Sequence, residues 1–412
     1  MSWQKIRRFS NMHKDNFFVW LFHEIRRIIY IAMDEYRLVF KDSGLIVVFI
    51  GATLIYPPLY SSIYQNETVR DMPIAVVDES MTSLSRNLVR SLNATPELKV
   101  EYQQNNLEEC KDLFYRNKIH GMVLIPKDFS RKISRKEQAN VSMYSDMSSF
   151  LYYRAMMMGT NMTVLEFGKD VKMQRLNAMG ITGKSAEIAA DPLGHEGTIL
   201  FNESMGFFSF LIPVLLILML HQTLFFGITM VNGTLRDERM LHSHFEVHQR
   251  GKFFQTLLGR ALCYFSFYIV IAAYILLFIP KAFQLPHLGD PINIMLFAVP
   301  LILAVIFFAM TCSVFIRNRE TGLVLFLFFS LILLFLSGFS WPESNIHWFW
   351  RSFAMLFPST FGIQGFLKIN SMGADLSQVK YEVVGLWIQV VVYFITTMIV
   401  FRIQHKISDE EI

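Results

Sequence analysis

Long apolar blocks alternate with charged stretches along this chain. A bilayer core of about 30 Å needs about 20 apolar helical residues. Six blocks meet or approach that length: 45–64, 207–229, 261–279, 292–316, 323–336 and 383–403. They predict six transmembrane helices. The fifth is short and is predicted to continue into Ser337 and Gly338. No apolar centre carries Asp, Glu, Lys or Arg, so no residue there serves ion coupling in the usual way.

Before the first block, Phe18, Leu21, Phe22, Ile25, Ile28, Ile29, Ala32, Tyr36, Val39 and Phe40 recur at helical spacing, with Arg26, Arg27, Asp34, Glu35 and Arg37 mainly between them. Residues 1–42 therefore predict an amphipathic connecting helix. Next to a span it is expected to lie along the cytoplasmic membrane surface. The other reading is a helix packed on a protein partner.

Between the first and second blocks the period changes. PIAVV (73–77), LKVEY (98–102), GMVLI (121–125) and NVSMY (140–144) read as strands. Helical stretches at 83–92, 107–116, 128–133 and 148–179 alternate with them. The pattern predicts an inserted α/β domain over 65–206 with mainly parallel pairing. The last of those helices is expected to pack beside the sheet or run back toward the membrane.

Composition agrees with the blocks. Of the 412 residues, 53% are hydrophobic and 17% charged, against about a quarter charged in soluble domains. Three cysteines exclude a disulfide scaffold, and a mean hydropathy of +0.35 concentrated in apolar blocks excludes a disordered, fibrous or nucleic-acid-dominated chain; the net charge of +4 is small. The placement of Lys and Arg carries more information than their sum. Lys5, Arg7, Arg8, Lys14, Arg26, Arg27, Arg37 and Lys41 precede the first span. Arg236, Arg239, Arg250, Lys252 and Arg260 fill the second-to-third loop, Arg317 and Arg319 the fourth-to-fifth, and Arg402 and Lys406 the tail. The third-to-fourth loop has only Lys281. This asymmetry predicts cytoplasmic termini and an outside location for 65–206. The first block should act as an uncleaved anchor.

Few motifs point to chemistry. Ala178–Ser185 fits a relaxed phosphate-loop pattern, but a charged helical run precedes it where a strand is required. His242, His244, Glu246 and His248 cluster in the second-to-third loop, and a polar cytoplasmic helix accounts for them as well as a metal does. His221 and Gln222 sit inside the second span and are the candidates for a substrate path, with a helix–helix hydrogen bond as the plainer reading.

Several segments carry a family resemblance. IAVVDES (74–80) offers a Val-Val-Asp strand end, followed by SLSRNLVRSL, KIHGMVLIPKDFSRKI and VSMYSD. The loop LRDERMLHSHFEVHQRGKFFQTLLGRAL (235–262) keeps Arg236, Glu238, Arg239 and Gly259-Arg260, and 337–366 keeps Ser337-Gly338, Pro342 and Phe357-Pro358-Ser359-Thr360. In order and spacing the chain resembles the membrane (permease) subunit of an ABC exporter of the type-two permease class, in the branch with a large outside domain between the first and second spans.

The resemblance implies a membrane all-α fold. It has six transmembrane helices, an amphipathic N-terminal interfacial helix, a re-entrant outer hairpin and an inserted α/β extracytoplasmic domain. The divisions are 1–42, 43–64, 65–206 and 207–412, with a cytoplasmic coupling loop at 230–260 and the hairpin at 337–382. It also implies a cytosolic ABC ATPase subunit dimer as partner, which holds ATP and Mg, while this chain holds no cofactor or metal and supplies no catalytic residue. Candidate ATPase contacts are Arg236, Asp237, Glu238, Arg239, Glu246, Arg317 and Arg319. A homodimer or a pair with a similar second permease, membrane lipid and a periplasmic adaptor complete the implied partners, without nucleic acid. The implied place is a bacterial inner membrane, and apolar spans suit a lipid-like or amphipathic cargo moved outward. Two other classes stand beside this one: a receptor or scaffold presenting the outside domain, and a lipid-directed enzyme using residues such as His195 and Glu196.

Overall fold

The computed structural model describes residues 17–193, 197–202, 205–237, 253–316, 321–322, 324 and 332–410, with backbone alone at 17–20, 236–237 and 404–410. The chain divides into two units, one of residues 1–65 with 208–412, the other Asn66–Phe207.

The first unit is helical. It begins with α1 (Phe17–Lys41). Five helices among the described residues are long and apolar enough to cross a bilayer: α2 (Ser43–Ile63), α8 (Phe207–Leu235, continuing to Asp237), α9 (Phe253–Ala282), α10 (Pro291–Ser313) and α13 (Lys380–Glu410, apolar to Ile403). The fifth predicted block lies mostly outside the described residues, with 332–336 helical. Two short helices, α11 (Trp348–Ala354) and α12 (Pro358–Met372), precede α13.

Local chemistry marks the start of two of these helices. The Asp42 carboxylate accepts from the Gly44 and Leu45 amides and separates α1 from α2. Asp290 and Pro291 open α10 in the same way, one as cap and one as a first residue that needs no amide partner. Phe297, Leu301, Ile302, Val305 and Ile306 show that α10 is buried on several faces, which makes it the centre of the unit.

In the second unit, β1 (Met72–Asp78), β2 (Leu98–Gln104), β3 (Gly121–Ile125) and β4 (Ser142–Ser145) form one sheet in the order β2-β1-β3-β4. β1 runs parallel to both neighbours, and β4 pairs antiparallel with β3. The apolar run of β1 explains its central place: Ile74 and Val76 face one core with Leu88, Leu92 and Val123, while Ala75 and Val77 face another with Cys110 and Ile119. The helices are α3 (Ser83–Asn93), α4 (Leu107–Tyr115), α5 (Phe129–Ser134), α6 (Phe150–Ala178) and α7 (Lys184–Ala190). Thr82 and Ser85 cap α3 reciprocally.

Of the two courses foreseen for α6, packing on the sheet is the one taken. Ala155, Met156, Gly159 and Thr163 form its buried stripe, and the Met156 sulfur lies only 2.6 Å from where a Cβ on Gly121 would stand. The phosphate-loop-like stretch follows this 29-residue helix rather than a strand. Burial, then the neighbouring Glu109, pushes the Cys110 thiol up, so it stays protonated and inert.

Candidate functional site: a buried polar chain through four helices

On α1 the residues Ile31, Ala32, Glu35 and Val39 are buried, one stripe at helical spacing. Phe22, Ile25, Ile29 and Phe40, from the stripe predicted to face the membrane surface, remain exposed. The helix therefore has two working faces. Glu35, expected on its polar side, is 1% exposed.

The partner of Glu35 is on α9. Arg260 Nε donates to Glu35 Oε1 at 2.8 Å, and the Tyr264 hydroxyl donates to the same oxygen at 2.5 Å. Arg260 Nη2 also donates to Asn232 Oδ1 on α8 at 2.9 Å. Asn232 Nδ2 donates in turn to Ser313 Oγ on α10 at 2.7 Å, and the Ser313 hydroxyl donates to the Met310 carbonyl at 2.7 Å. One hydrogen-bonded chain thus joins α1, α9, α8 and α10.

The close approach depends on Gly259. A Cβ there would stand 2.7 Å from Ile31 and 2.9 Å from the Ile28 carbonyl oxygen. The two residues of the Gly-Arg pair act differently. The glycine lets α1 come near, and the arginine reaches across to it.

These contacts correct the predicted start of the third span. The third span begins at Phe253 rather than at residue 261, so Arg260 lies inside its helix and is 2% exposed. Its charge is tolerated because an opposite charge and further acceptors replace water. Sequence reasoning counted Arg260 as a loop cation. The available signal was its helical phase with Tyr264, one turn along the same apolar block.

The other predicted site residues lie elsewhere. His221 on α8 is buried, with Phe225 and Phe308 ring centroids 6.3 and 6.1 Å away. Neither ring nitrogen has a hydrogen-bond partner among the described residues, so the helix–helix hydrogen bond foreseen for it is not made there. Gln222 is half-buried. Arg236 and Asp237 form the C-terminal end of α8, just beyond Asn232. Glu238, Arg239, Glu246, Arg317 and Arg319 lie outside the described residues, as do His242, His244 and His248, and so do His195 and Glu196. Among the described residues no group of three or more His, Cys, Asp or Glu is placed to hold a metal ion.

Several long apolar helices, tied at their ends by buried polar contacts, define a multi-pass helical membrane protein. Residues 43–399 match the family model of ABC-2 family transporter proteins, and the chain belongs to that family. It is the membrane permease of an ABC transporter, a transport subunit rather than a catalytic one, and such permeases generally work with a partner ATPase. No curated protein matches the chain.

Proposed function

We propose that this permease exports a lipid-like or amphipathic cargo, driven by a separate cytosolic ATPase dimer that binds ATP and Mg. Both termini and the loop between α8 and α9 are cytoplasmic in this reading, that loop being shorter than the predicted 230–260 because helix runs to Asp237 and resumes at Phe253, and 65–206 lies outside a bacterial inner membrane. A second copy or a similar permease completes the pathway, with a periplasmic adaptor as a further partner. The sixth span is the block at 323–336. The re-entrant hairpin corresponds to α11 and α12. The latter has 15 residues, about 22 Å of helix, too short to span.

The observation that carries the reading is the Glu35–Arg260–Asn232–Ser313 chain. An ATPase gripping α1 and the loop after α8 would hold one end of it and the two helices, α8 and α9, that carry its middle. Displacing α1 would then pull on α9, α8 and α10 together. The permease contributes two conformations with different affinity for cargo, and the ATPase shifts the balance between them.

The test is co-purification and ATP turnover of the reconstituted pair. Glu238→Lys in the coupling loop should insert normally and lose the ATPase or its stimulation by cargo, because like charges then meet at a contact where charge sets register. Glu79→Lys, just after β1 in the second unit, is the control. Equal behaviour of the two variants would remove the mechanical basis of the proposal.

A further inference from the structure

The first turn of α13 holds Glu382, which is 2% exposed. Its Oε1 accepts a hydrogen bond from Lys368 Nζ of α12 at 2.5 Å. Its Oε2 is buried and has no hydrogen-bond partner among the described residues. The pair is unequal: the lysine side chain is 46% exposed and the carboxylate is enclosed. Lys368 hangs on a flexible four-carbon stem and can turn to water. Glu382 is held in place by its helix.

Aromatic rings pack on the turns of α12 and α13 next to Glu382. At Gly365, one turn before Ile369 on α12, a Cβ would stand 2.4 Å from the Phe297 ring and 3.3 Å from the Glu382 Cβ. Gly385, one turn along α13 from Glu382, packs likewise on Phe361, with 2.8 Å left for a Cβ. Phe361 lies 5.9 Å from the Tyr381 ring, centroid to centroid. The absence of side chains at Gly365 and Gly385 brings Phe297 and Phe361 to the stretch of α13 that bears Glu382.

A buried ionised carboxylate is stabilised by a cation, and aromatic faces attract one as well. A small inorganic cation would ask for several more oxygen ligands. One carboxylate with a spare oxygen and aromatic neighbours suits a charged nitrogen or phosphorus centre carried on an apolar body. We propose that Glu382 is a counter-ion site for such an organic cation, with Lys368 as the resident cation that the ligand displaces. The inference rests on the exporter reading for treating the ligand as cargo, and it narrows that cargo to amphipathic cations. A purely structural latch between α12 and α13 is the competing account, and the two differ in what Lys368 does.

The experiment is equilibrium binding of radiolabelled tetraphenylphosphonium to the full chain in lipid nanodiscs, without the ATPase. Saturable binding is expected. Glu382→Gln, of equal volume, should weaken it at least tenfold. Lys368→Met removes the competitor and should tighten it several-fold. Neutral triphenylphosphine oxide should bind indifferently to all three. Absence of saturable binding, binding unchanged by Glu382→Gln, or Lys368→Met weakening binding as Glu382→Gln does would each overturn the site and leave a latch. If Glu382→Gln fails to fold, Lys368→Met still decides. ATPase co-purification and stimulation, measured separately, test the exporter reading: a pair that couples normally while binding ignores Glu382 defeats only the cation site.

Discussion

Removing the guanidinium of Arg260 is the most informative single perturbation of the polar chain. The Glu35 and Arg260 side chains are 1% and 2% exposed, and their N–O separation is 2.8 Å. Two unit charges about 4 Å apart attract by about 4 kcal/mol at an effective dielectric of about 20. Arg260→Met takes away that attraction, and Asn232 loses a donor at the same time. Breaking a buried pair from one side costs about 3–5 kcal/mol. Arg260→Met and Glu35→Gln should each fall in that range. The double variant should not sum them. It no longer buries a lone charge, and replacement of a whole buried pair is often close to neutral. The assay is a double-mutant cycle on unfolding of the permease in mixed micelles, followed by tryptophan fluorescence. A coupling energy of several kcal/mol is expected, since the two single losses would sum to about 6–10 kcal/mol while the double variant stays close to neutral. Additive losses would refute the reasoning, since they would mean that the two charges do not depend on each other.

Three other outcomes follow from the same structure. Gly259→Ala should destabilise the chain, by about 1–3 kcal/mol for overpacking against Ile31 and the Ile28 carbonyl, although alanine favours a helix over glycine by about 1 kcal/mol; a melting temperature at or above that of the parent would contradict the close contact. The Asp146 carboxyl is held below its ordinary value of 3.8, first by hydrogen bonds with Ser148 and further by His120, so its contribution to stability is present above that value and is lost as pH falls through the lower folded value. Hydrogen exchange of the β3 and β4 amides should accordingly be faster in Asp146→Asn than in the parent near pH 6, and the difference should close as pH falls through the lowered folded value of Asp146. An impermeant thiol label should reach a cysteine at exposed Ser91 only from outside and one at Ser243 only from the cytosol, and labelling of both from one side would refute the proposed topology.

Much of the architecture was legible because its signals are local. The blocks at 45–64, 207–229, 261–279, 292–316 and 383–403 correspond to helices, since an apolar run of that length has few other ways to satisfy its backbone. In the second unit β1 and β3 were legible as short apolar runs buried on both faces. The helix α7 was not foreseen. Lys184–Ala190 is short, and it starts after Gly183 with a positive φ, a loop signal. Span ends were misplaced for a different reason. Hydropathy treats Arg260 as a terminator, yet its partner is 225 positions away in the chain, where no local pattern reveals it. The same distance hid the role of Glu35, whose sequence neighbours Asp34 and Arg37 form an ordinary surface pair with each other. Glu382 and Lys368 are only 14 positions apart, but a helix end separates them, and nothing in their spacing distinguishes a buried carboxylate from a wet one.

A charged contact between α1 and α9 does something that an apolar seam does not. Apolar side chains can slide by one turn and find similar neighbours, because the attraction between them has no direction. Glu35 has one acceptor position that satisfies Arg260 and Tyr264 together. A slide of one turn, about 5.4 Å, would carry the carboxylate out of reach of the guanidinium and leave both charges enclosed among apolar groups. That state costs several kcal/mol per uncompensated ion, so it is hardly populated. The amphipathic helix is therefore constrained to move with α9 rather than along it. Gly259 adds to the constraint, since the notch it leaves for Ile31 exists at one height only. From Arg260 the constraint continues through Asn232 to Ser313, across α8 and into the central helix α10. Force applied by an ATPase at α1 would accordingly reach the middle of the bundle through hydrogen bonds of fixed length, while the apolar packing around them is free to readjust. The combined variant Glu35→Gln with Arg260→Met separates these two roles. It should keep most of the stability and the bound ATPase, and it should lose the stimulation of ATP turnover by cargo, because packing holds the helix after the charge pair that fixes its register is gone. Full stimulation in that double variant would show that register at α1 is not what transmits the motion.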